Sequence, residues 1–345
     1  MTSTLACRTL RYSFSTVIFN GNKTAKKILS SLRKEIEWFQ KQSNISRKPG
    51  LGIILVGNNP ASLSYIKKKL QACEQIGIKP ELYHFSEDIS EYDILSAIDN
   101  LNRKDDIDAI MAQLPLPSHI DKNNVISMIS SEKDADGLKL NTNSLHPKAN
   151  ILPCTPAACL KILEEHQISL EDKHVVLIGR GRLVGQPLEQ LLSKLSPASI
   201  TTCVKETGDI KQHILKADVI IAAAGERQLI KGKWIKKGAI VLDVGVNKGI
   251  PGIDPSKVVG DVEFEEAKKR ASLITPVPGG IGPMTVSMLM YNTVQIWKQR
   301  REQEFQNLDL NGQSQQSSNF ENDSFSLTIN NSFPPESSIY NYLYI

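Results

Sequence analysis

The chain has 345 residues, of which 40% are hydrophobic and 23% charged, and its formal net charge is +4. This length suits two domains, and the composition is that of a globular protein rather than a collagen-like or wholly disordered one. Because no apolar run approaches the roughly 18 residues that span a bilayer, and because basic residues are scattered among few aromatics, we expect the protein to bind neither membrane nor nucleic acid.

Cysteine usage and N-terminal composition bear on the cell compartment. The five cysteines include no C-x-x-C pair, so a reducing compartment is expected, without disulfides or a metal site. Residues 1–16 form an extension with two arginines and no acidic residue, a composition compatible with a mitochondrial transit peptide. A cytoplasmic location is the first expectation, and a mitochondrial one is the alternative.

Helices and strands alternate through the first half of the chain. Ile28, Leu32, Ile36 and Phe39 recur at steps of three and four residues, which predicts an amphipathic helix. The predicted elements are a helix over 23–42, a strand over 50–57, a helix that begins within 58–62 and ends at 76, a strand over 82–85, a helix over 91–102, a strand over 107–114 and a helix over 121–130.

The second half repeats this alternation after a loop-rich stretch. The alternation predicts βαβ units with mostly parallel sheets, which is an α/β fold. The tail, 301–345, is predicted to be disordered, because fourteen of the 23 residues in 311–333 are Asn, Gln or Ser. The predicted elements are a helix from 156 to about 166, strands over 173–179, 199–204, 217–225 and 238–245, a helix from about 185, and a last helix over 285–300.

A glycine turn stands between a predicted strand and the helix that follows it. Gly179, Gly181 and Gly185 have the spacing G-x-G-x-x-x-G, a variant of the dinucleotide fingerprint, in which the backbone approaches a pyrophosphate at a helix N-terminus. The alternative is a tight turn without a ligand. Near the end of the next strand, Lys205 and Glu206 are candidates to meet a ribose 2′-phosphate or 2′-hydroxyl. With the basic glycine turn, they favour NADP over NAD.

A second candidate group lies in the predicted helix that ends at residue 76. Tyr65 and Lys69 are four residues apart and therefore share a face of the helix. Tyr65 suits stacking on a flat substrate, and Lys69 suits general acid–base chemistry if burial lowers its pKa. The alternative is a solvated lysine run, because Lys67 and Lys68 stand beside it.

Three loop motifs complete the candidates. Gln113 stands in "QLPLP" at the end of an apolar strand, where open α/β sheets bind ligands. The alternative is a strand that is terminated by prolines and binds nothing. Asp136 precedes a glycine in "DADGL", where a carboxylate either bonds a base-like ring or caps a turn. The rigid loop "TPVPGGIGPMT" (275–285) is typical of a ligand wall or a structural crossover, and its X-Pro bonds are candidates for the cis form.

Together these segments resemble the methylenetetrahydrofolate dehydrogenase/methenyltetrahydrofolate cyclohydrolase family, the bifunctional FolD-type enzymes. The resemblance covers about residues 17–300. It rests on the order and spacing of "KPGLGIILVGNNPASLSYIKKK", "QLPLP", "KDADGL", "PCTPAA", the glycine turn, "KGAIVLDVGVN", "VVGDVEFEEA" and "ITPVPGGIGPMTVSML".

The resemblance implies a folate site. It makes Lys69 the catalytic lysine, Tyr65 the side chain that stacks on the substrate, and Gln113 the amide that contacts the lysine and tunes it. Asp136 corresponds to the aspartate that holds the pterin ring. The loop that walls the folate site contains Pro278 and Gly279.

The resemblance also implies an NADP site. Gly179, Arg180 and Gly181 match the turn that contacts the phosphates, and Val246 matches a backbone contact near the nicotinamide. Two residues depart from the family pattern, since Gly181 stands where serine is usual and Lys205 replaces a serine near the 2′-phosphate. Both changes bear on the choice between NADP and NAD, and Lys205 can itself pair with a phosphate.

The implied chemistry has two successive steps. Hydride leaves the methylene carbon of 5,10-methylenetetrahydrofolate for the nicotinamide C4 of NADP⁺, and the resulting methenyl cation adds water and opens to 10-formyltetrahydrofolate. Lys69 is the hypothesised general acid–base group of the second step. The alternatives are an NAD-linked dehydrogenase or a cyclohydrolase alone and, in another class, a non-catalytic nucleotide-binding scaffold.

The implied architecture is two α/β domains around a cleft. A folate-binding catalytic domain spans 17–150 and is completed by the helix at 285–300. A Rossmann-like doubly wound parallel sheet at 151–284 binds NADP. Tetrahydrofolate derivatives are the expected binding partners, and a homodimer is carried over from the family.

Overall fold

The computed structural model describes residues 15–139, 151–195, 197–249 and 257–316. Residues 1–14 of the predicted extension and residues 317–345 of the predicted tail lie outside these ranges. In chain order the elements are β1 (Val17–Ile18), α1 (Gly21–Gln42), β2 (Gly50–Val56), α2 (Pro60–Ile76), β3 (Lys79–Phe85), α3 (Glu91–Arg103), β4 (Ala109–Ala112), α4 (Lys122–Met128), α5 (Cys154–Glu165), β5 (His174–Ile178), α6 (Gly185–Leu195), β6 (Ser199–Cys203), α7 (Ile210–Ile214), β7 (Val219–Ala222), β8 (Ile240–Asp243), β9 (Asn247–Lys248), β10 (Val258–Val259), α8 (Phe264–Ala267), β11 (Leu273–Ile274) and α9 (Ile281–Gln316).

The longer predicted helices and strands are confirmed to within a few residues. The elements that the sequence analysis did not predict are short: β1, β9, β10 and β11 have two residues each, α7 has five and α8 has four. Such pieces are too brief to show a period of 2 or 3.6 residues. Among the described residues, no helix combines the length and the apolar character needed to cross a membrane.

The chain divides into two compact units. The first, here called the three-stranded unit, comprises residues 21–169, 182–195 and 282 onward. Its sheet has the order β3-β2-β4, and both strand pairs are parallel. All seven residues of β2 are buried, as expected for a central parallel strand. Asp134 forms a parallel bridge with Ile110, so the "DADGL" segment runs beside β4.

The second unit, here called the six-stranded unit, comprises residues up to 20, 170–181 and 196–281. Its sheet has the order β1-β11-β8-β7-β5-β6, with every neighbouring pair parallel. The chain passes from β5 to the edge strand β6 and returns to β7 on the other side of β5. The strand order therefore reverses between β5 and β7, the switch point at which doubly wound sheets bind ligands. The predicted α/β class and Rossmann-like sheet are confirmed.

Helices α5 and α6 belong to the three-stranded unit, whereas the sequence analysis placed both in the second domain. The buried Asn292 of α9 donates to Leu152 O at 2.9 Å and contacts Cys154 Sγ at 3.5 Å, which joins α5 to α9. Arg182, before α6, donates to Asn123 Oδ1 at 2.5 Å. The assignment of folate binding to residues 17–150 and of NADP binding to residues 151–284 remains a prediction.

The last helix is longer than predicted. It spans Ile281–Gln316, so residues 301–316, which were assigned to a disordered tail, are helical. Arg300 Nη1 donates to Ile107 O at 2.7 Å, and Arg301 pairs with Glu304 one turn further on at 2.5 Å. These contacts fix the helix at residues 300–304, and sequence periodicity alone does not show them.

Candidate active site

Helix α2 positions Tyr65 and Lys69. Its N-terminus is capped by Asn59, whose Oδ1 accepts the N–H of Ala61 at 2.9 Å, and Pro60 occupies the first helical position. Both residues are typical of helix starts. The helix ends at Gly77, whose φ of 87° lies in the left-handed region. The predicted helix is therefore set at both ends by its own sequence.

Only one of the three consecutive lysines of α2 is buried. Lys67 and Lys68 are exposed, whereas Lys69 is 9% exposed. Buried lysines are rare unless they are paired. The alternative of a solvated lysine run therefore applies to Lys67 and Lys68 but not to Lys69.

Lys69 Nζ donates to Gln113 Oε1 at 2.9 Å and lies 3.2 Å from Met111 Sδ. Gln113 directly follows β4, and its own Nε2 donates to Leu114 O at 2.6 Å. This second bond orients the amide so that its oxygen faces the lysine. The sequence analysis predicted this contact between Lys69 and Gln113, and the structure contains it.

Asp136 stands close enough to Lys69 for their charges to interact. Burial raises the pKa of the Asp136 carboxyl, and the positive charge of Lys69 and a hydrogen bond from Cys154 oppose that shift. Burial also raises the pKa of the neighbouring Asp134 to about 6. Asp134 accepts the N–H of Gly137 at 3.0 Å and of Lys139 at 2.7 Å, so this carboxylate shapes the loop that carries Asp136.

Tyr65 is half-buried on the same face of α2 as Lys69. Burial raises the pKa of its hydroxyl. The ammonium of Lys68 lies 5.5 Å from the centre of its ring, a cation–π distance. A Cβ at Gly282 would stand 3.6 Å from the Tyr65 hydroxyl, so the ring lies beside the first turn of α9. The structure thus brings together Tyr65, Lys69, Gln113 and Asp136; their catalytic roles stay a prediction.

Asn292 is a site residue that the sequence analysis missed. It lies in α9, is 1% exposed, and donates from Nδ2 to Ala135 O at 2.8 Å as well as to Leu152 O. It therefore holds the residue next to Asp136. The only signal in the sequence was a lone amide within the apolar run "VSMLMYNTV".

The predicted cofactor residues follow strands of the six-stranded unit. Gly179 comes directly after β5 with a φ of 98°, and a Cβ there would stand 2.3 Å from Ala223 O. Only glycine fits this close approach at the switch point. By contrast, a Cβ on Gly181 would meet no atom within 4 Å, and both Arg180 and Gly181 are exposed.

The remaining predicted residues follow β6, β8 and β11, beyond the carboxyl ends of these strands of the same sheet. Lys205 is exposed two residues after β6, and Val246 is 56% exposed three residues after β8. Pro278 and Gly279 follow β11, and the Val277–Pro278 bond is cis, as predicted for this loop. The Leu114–Pro115 bond is cis as well. One edge of the sheet therefore carries both the predicted cofactor residues and the predicted folate wall.

Comparisons with known proteins agree with this arrangement. Residues 19–136 match the family described as "Tetrahydrofolate dehydrogenase/cyclohydrolase, catalytic domain". Residues 153–301 match its "NAD(P)-binding domain". The "Bifunctional protein FolD" of Bacillus licheniformis is 47% identical over 283 residues, which cover 81% of this chain and 97% of that protein. The protein of the same name from Sulfurihydrogenibium is 42% identical and covers 82% and 98%.

Solved structures agree as well. The bifunctional FolD enzyme of Campylobacter jejuni superposes with a TM-score of 0.76 at 39% identity, covering 83% of this chain and 99% of that one. The Trypanosoma brucei FolD, complexed with NADP cofactor and inhibitor, gives 0.78 at 36% identity and covers 83% and 98%. These relatives favour the bifunctional enzyme over the single-activity and scaffold alternatives. The chain is a methylenetetrahydrofolate dehydrogenase and methenyltetrahydrofolate cyclohydrolase, and it belongs to the bifunctional tetrahydrofolate dehydrogenase/cyclohydrolase family.

Proposed function

We propose that the chain oxidises 5,10-methylenetetrahydrofolate with NADP⁺ and hydrolyses the methenyl product to 10-formyltetrahydrofolate, with Lys69 as the general acid–base group of the hydrolysis. The observation that carries this proposal is the buried Lys69 amine, which donates to Gln113 Oε1 at the carboxyl end of β4. Ligands bind at that end of open parallel sheets. A lysine removed from solvent is suited to acid–base work.

The other members of the group bind and orient the folate. The half-buried Tyr65 ring supplies an aromatic surface for the flat pterin or for the ring that follows it. The Asp136 carboxylate accepts hydrogen bonds and therefore suits the N–H groups of the pterin. Gln113 holds the Lys69 amine in place, so that the amine can take a proton from the attacking water and return it to the nitrogen that leaves the opening ring.

The carboxyl edge of the six-stranded sheet fits NADP. Open space above Gly181 leaves room for a pyrophosphate, and the close packing at Gly179 brings the turn to the switch point. The exposed Lys205 is our candidate partner of the 2′-phosphate, and the backbone at Val246 our candidate contact of the nicotinamide. NADP⁺, when bound, accepts the hydride from the methylene carbon. The NADP bound in the Trypanosoma brucei relative supports this assignment.

The test of the proposal is hydride transfer measured with NADP⁺ and NAD⁺ side by side, together with hydrolysis of the methenyl substrate without cofactor. We expect both activities, with the higher kcat/KM for NADP⁺. Lys205→Ala should raise the KM for NADP⁺ and leave that for NAD⁺ unchanged, whereas Lys216→Ala, an exposed lysine before β7, should change neither. A higher kcat/KM with NAD⁺ would contradict the cofactor assignment, and absence of either activity would contradict the bifunctional assignment.

A homodimer formed through the edge of β3 is a further part of the proposal. Within the described residues, β3 pairs with β2 alone, and its Leu82 is 39% exposed. Unpaired strand edges readily add a strand from another chain. Leu82→Glu should convert the dimer to a monomer in sedimentation measurements. Leu215→Glu, equally exposed at 39% in the six-stranded unit, should not. A wild-type monomer would refute the dimer.

We assign the protein to the cytoplasm, with the mitochondrion as the alternative. The FolD relatives from Bacillus licheniformis and Sulfurihydrogenibium are bacterial, which supports the cytoplasm. The acid-free residues 1–16 are the reason for the second. A fluorescent reporter that carries residues 1–16 at its N-terminus should stay in the cytosol of a eukaryotic cell; import into mitochondria would favour the alternative.

A further inference from the structure

Two buried carboxylates lie among the loops at the carboxyl edge of the six-stranded sheet. Asp243 is the last residue of β8 and is 3% exposed, and Asp261 is 0% exposed. Neither residue was a candidate in the sequence analysis, although "KGAIVLDVGVN" and "VVGDVEFEEA" contain them. No lysine, arginine or histidine in the described part of the chain forms an ion pair with either one.

Asp261 joins the loops that follow two neighbouring strands. Its Oδ2 accepts the N–H groups of Ala224 at 2.7 Å and of Gly225 at 2.9 Å, just after β7. Its Oδ1 accepts Nδ2 of Asn247 at 2.8 Å, after β8. The side chain of Asp261 therefore sets the distance between the two loops.

Asp243 in turn holds the backbone around Asp261. Its Oδ1 accepts the N–H groups of Asp261 at 3.0 Å and of Gly245 at 3.1 Å, and its Oδ2 accepts that of Val262 at 2.9 Å. A Cβ at Gly260 would stand 1.8 Å from Asp243 Oδ2. The carboxylate therefore packs directly on the backbone, with no room for a side chain between them.

Stabilisation of the fold does not by itself explain this network. Burying two carboxylates without a cation costs free energy that hydrogen bonds only partly return, and well-packed apolar residues often stabilise a core equally well. The six hydrogen bonds do, however, fix the geometry of the loops. The loops held in this way follow β7, at the switch point, and β8. Val246, between the anchored Gly245 and Asn247, remains 56% exposed.

We propose that Asp261, held in place by Asp243, is a positioning residue for the dinucleotide site: it fixes the loops 223–225 and 245–247 so that their backbone meets the nicotinamide half of the cofactor. This inference rests on the NADP site proposed above. It predicts that Asp261 affects cofactor binding and hydride transfer but not the hydrolysis of the methenyl substrate, which needs no cofactor.

The experiment compares three variants of the full chain. Asp261→Ala removes all three acceptor bonds. Asp261→Asn keeps one acceptor oxygen for the loop after β7, and the Asn247 amide can rotate to offer its oxygen to the new NH₂ group. Asp218→Ala is the matched control. Asp218 lies in the same unit and accepts the N–H of His174 at 2.9 Å. It precedes β7 and therefore lies at the opposite edge of the sheet. The readouts are the Kd of NADP⁺ by calorimetry, the KM for NADP⁺, the cofactor-free cyclohydrolase rate and Tm.

We expect Asp261→Ala to raise the Kd and KM for NADP⁺ at least about tenfold, because small displacements of positioning groups cost this much. The cyclohydrolase rate of Asp261→Ala should stay near the wild-type value. The Kd of NADP⁺ should stay near the wild-type value in Asp261→Asn and in Asp218→Ala. The inference would be overturned by an unchanged Kd of NADP⁺ in Asp261→Ala, or by an equal fall of its dehydrogenase and cyclohydrolase activities.

Asn247→Ala serves as a second probe should Asp261→Ala fail to fold, since it removes the contact of Asp261 with the second loop alone. It should raise the Kd of NADP⁺ measurably, and an unchanged Kd would also overturn the inference. If the wild-type chain itself does not bind NADP⁺, the proposed function fails instead, and the two failures are thereby distinguished.

Discussion

Lys69 Nζ and Gln113 Oε1 are 2.9 Å apart and join the middle of α2 to the carboxyl end of β4. The amide of Gln113 is in turn oriented by Leu114 O. A flexible four-carbon side chain is thereby held at one position within a buried environment. Preorganisation of this kind allows a group to act on a substrate without first losing conformational entropy.

Replacement of Lys69 tests its catalytic role. Lys69→Met keeps the length and apolar stem of the side chain but removes the amine, so cyclohydrolase kcat should fall at least about 100-fold, the usual contribution of acid–base catalysis. The Kd of NADP⁺ should not change. Lys67→Met, an exposed lysine on the same helix, should keep full activity. Undiminished hydrolysis by Lys69→Met would refute the role.

Asn292 should be needed for both stability and folate binding. Asn292→Ala leaves the buried carbonyls of Ala135 and Leu152 without this donor, so unfolding free energy should fall by about 2–3 kcal/mol in chemical denaturation. The KM for folate should rise, because the loop that carries Asp136 loses its anchor. Asn124→Ala removes an exposed bond to Glu91 and should cost under about 0.5 kcal/mol. Equal effects of the two variants would contradict this account.

Asp108 should be among the most sensitive positions for stability. Its carboxylate is fully buried and lies 2.5 Å from Arg47 and 3.5 Å from both Arg300 and Arg301. Asp108→Asn leaves three guanidinium groups without their shared anion, which should cost about 3–5 kcal/mol.

Asp106→Asn provides the matched control for Asp108. Asp106 is two residues away and forms an exposed ion pair with Lys79, so its replacement should cost under about 1 kcal/mol. Similar unfolding free energies for the Asp108→Asn and Asp106→Asn variants would show that the pairing of Asp108 with the three arginines does not stabilise the fold.

Asp243 should make stability depend on pH. Burial raises the pKa of its carboxyl from 3.8 to about 7. The folded chain then binds more protons than the unfolded chain between these values, so the contribution of Asp243 to stability falls as pH rises from about 4 to about 7. The variant Asp243→Asn lacks this titration. Its destabilisation relative to wild type should therefore be larger at pH 5 than at pH 7.5, with a slope of at most about 1.4 kcal/mol per pH unit. A pH-independent difference would contradict the raised pKa.

Local pattern was sufficient for much of the molecule. Apolar periodicity predicted α1 and β2, and the Asn59, Pro60 and Gly77 signals bounded α2, because these preferences arise from neighbouring backbone and side-chain atoms. The order of motifs along the chain was enough to find Tyr65, Lys69, Gln113 and Asp136 as candidates. Gly179 was found because its place between a strand and a helix is itself a local feature.

Tertiary packing decided the rest. Helical spacing from Ile66 and Cys73 places Lys69 on the buried face of α2. Its contacts there, Met111 and Gln113, lie some forty residues away in the chain, and no helical periodicity identifies them. The anchoring of α9 at Arg300 and Arg301 involves Ile107 and Asp108, which lie almost two hundred residues earlier in the chain. Asn292, Asp243 and Asp261 look like ordinary polar residues in the sequence; they matter because folding removes water from them and leaves distant backbone groups as their hydrogen-bond partners.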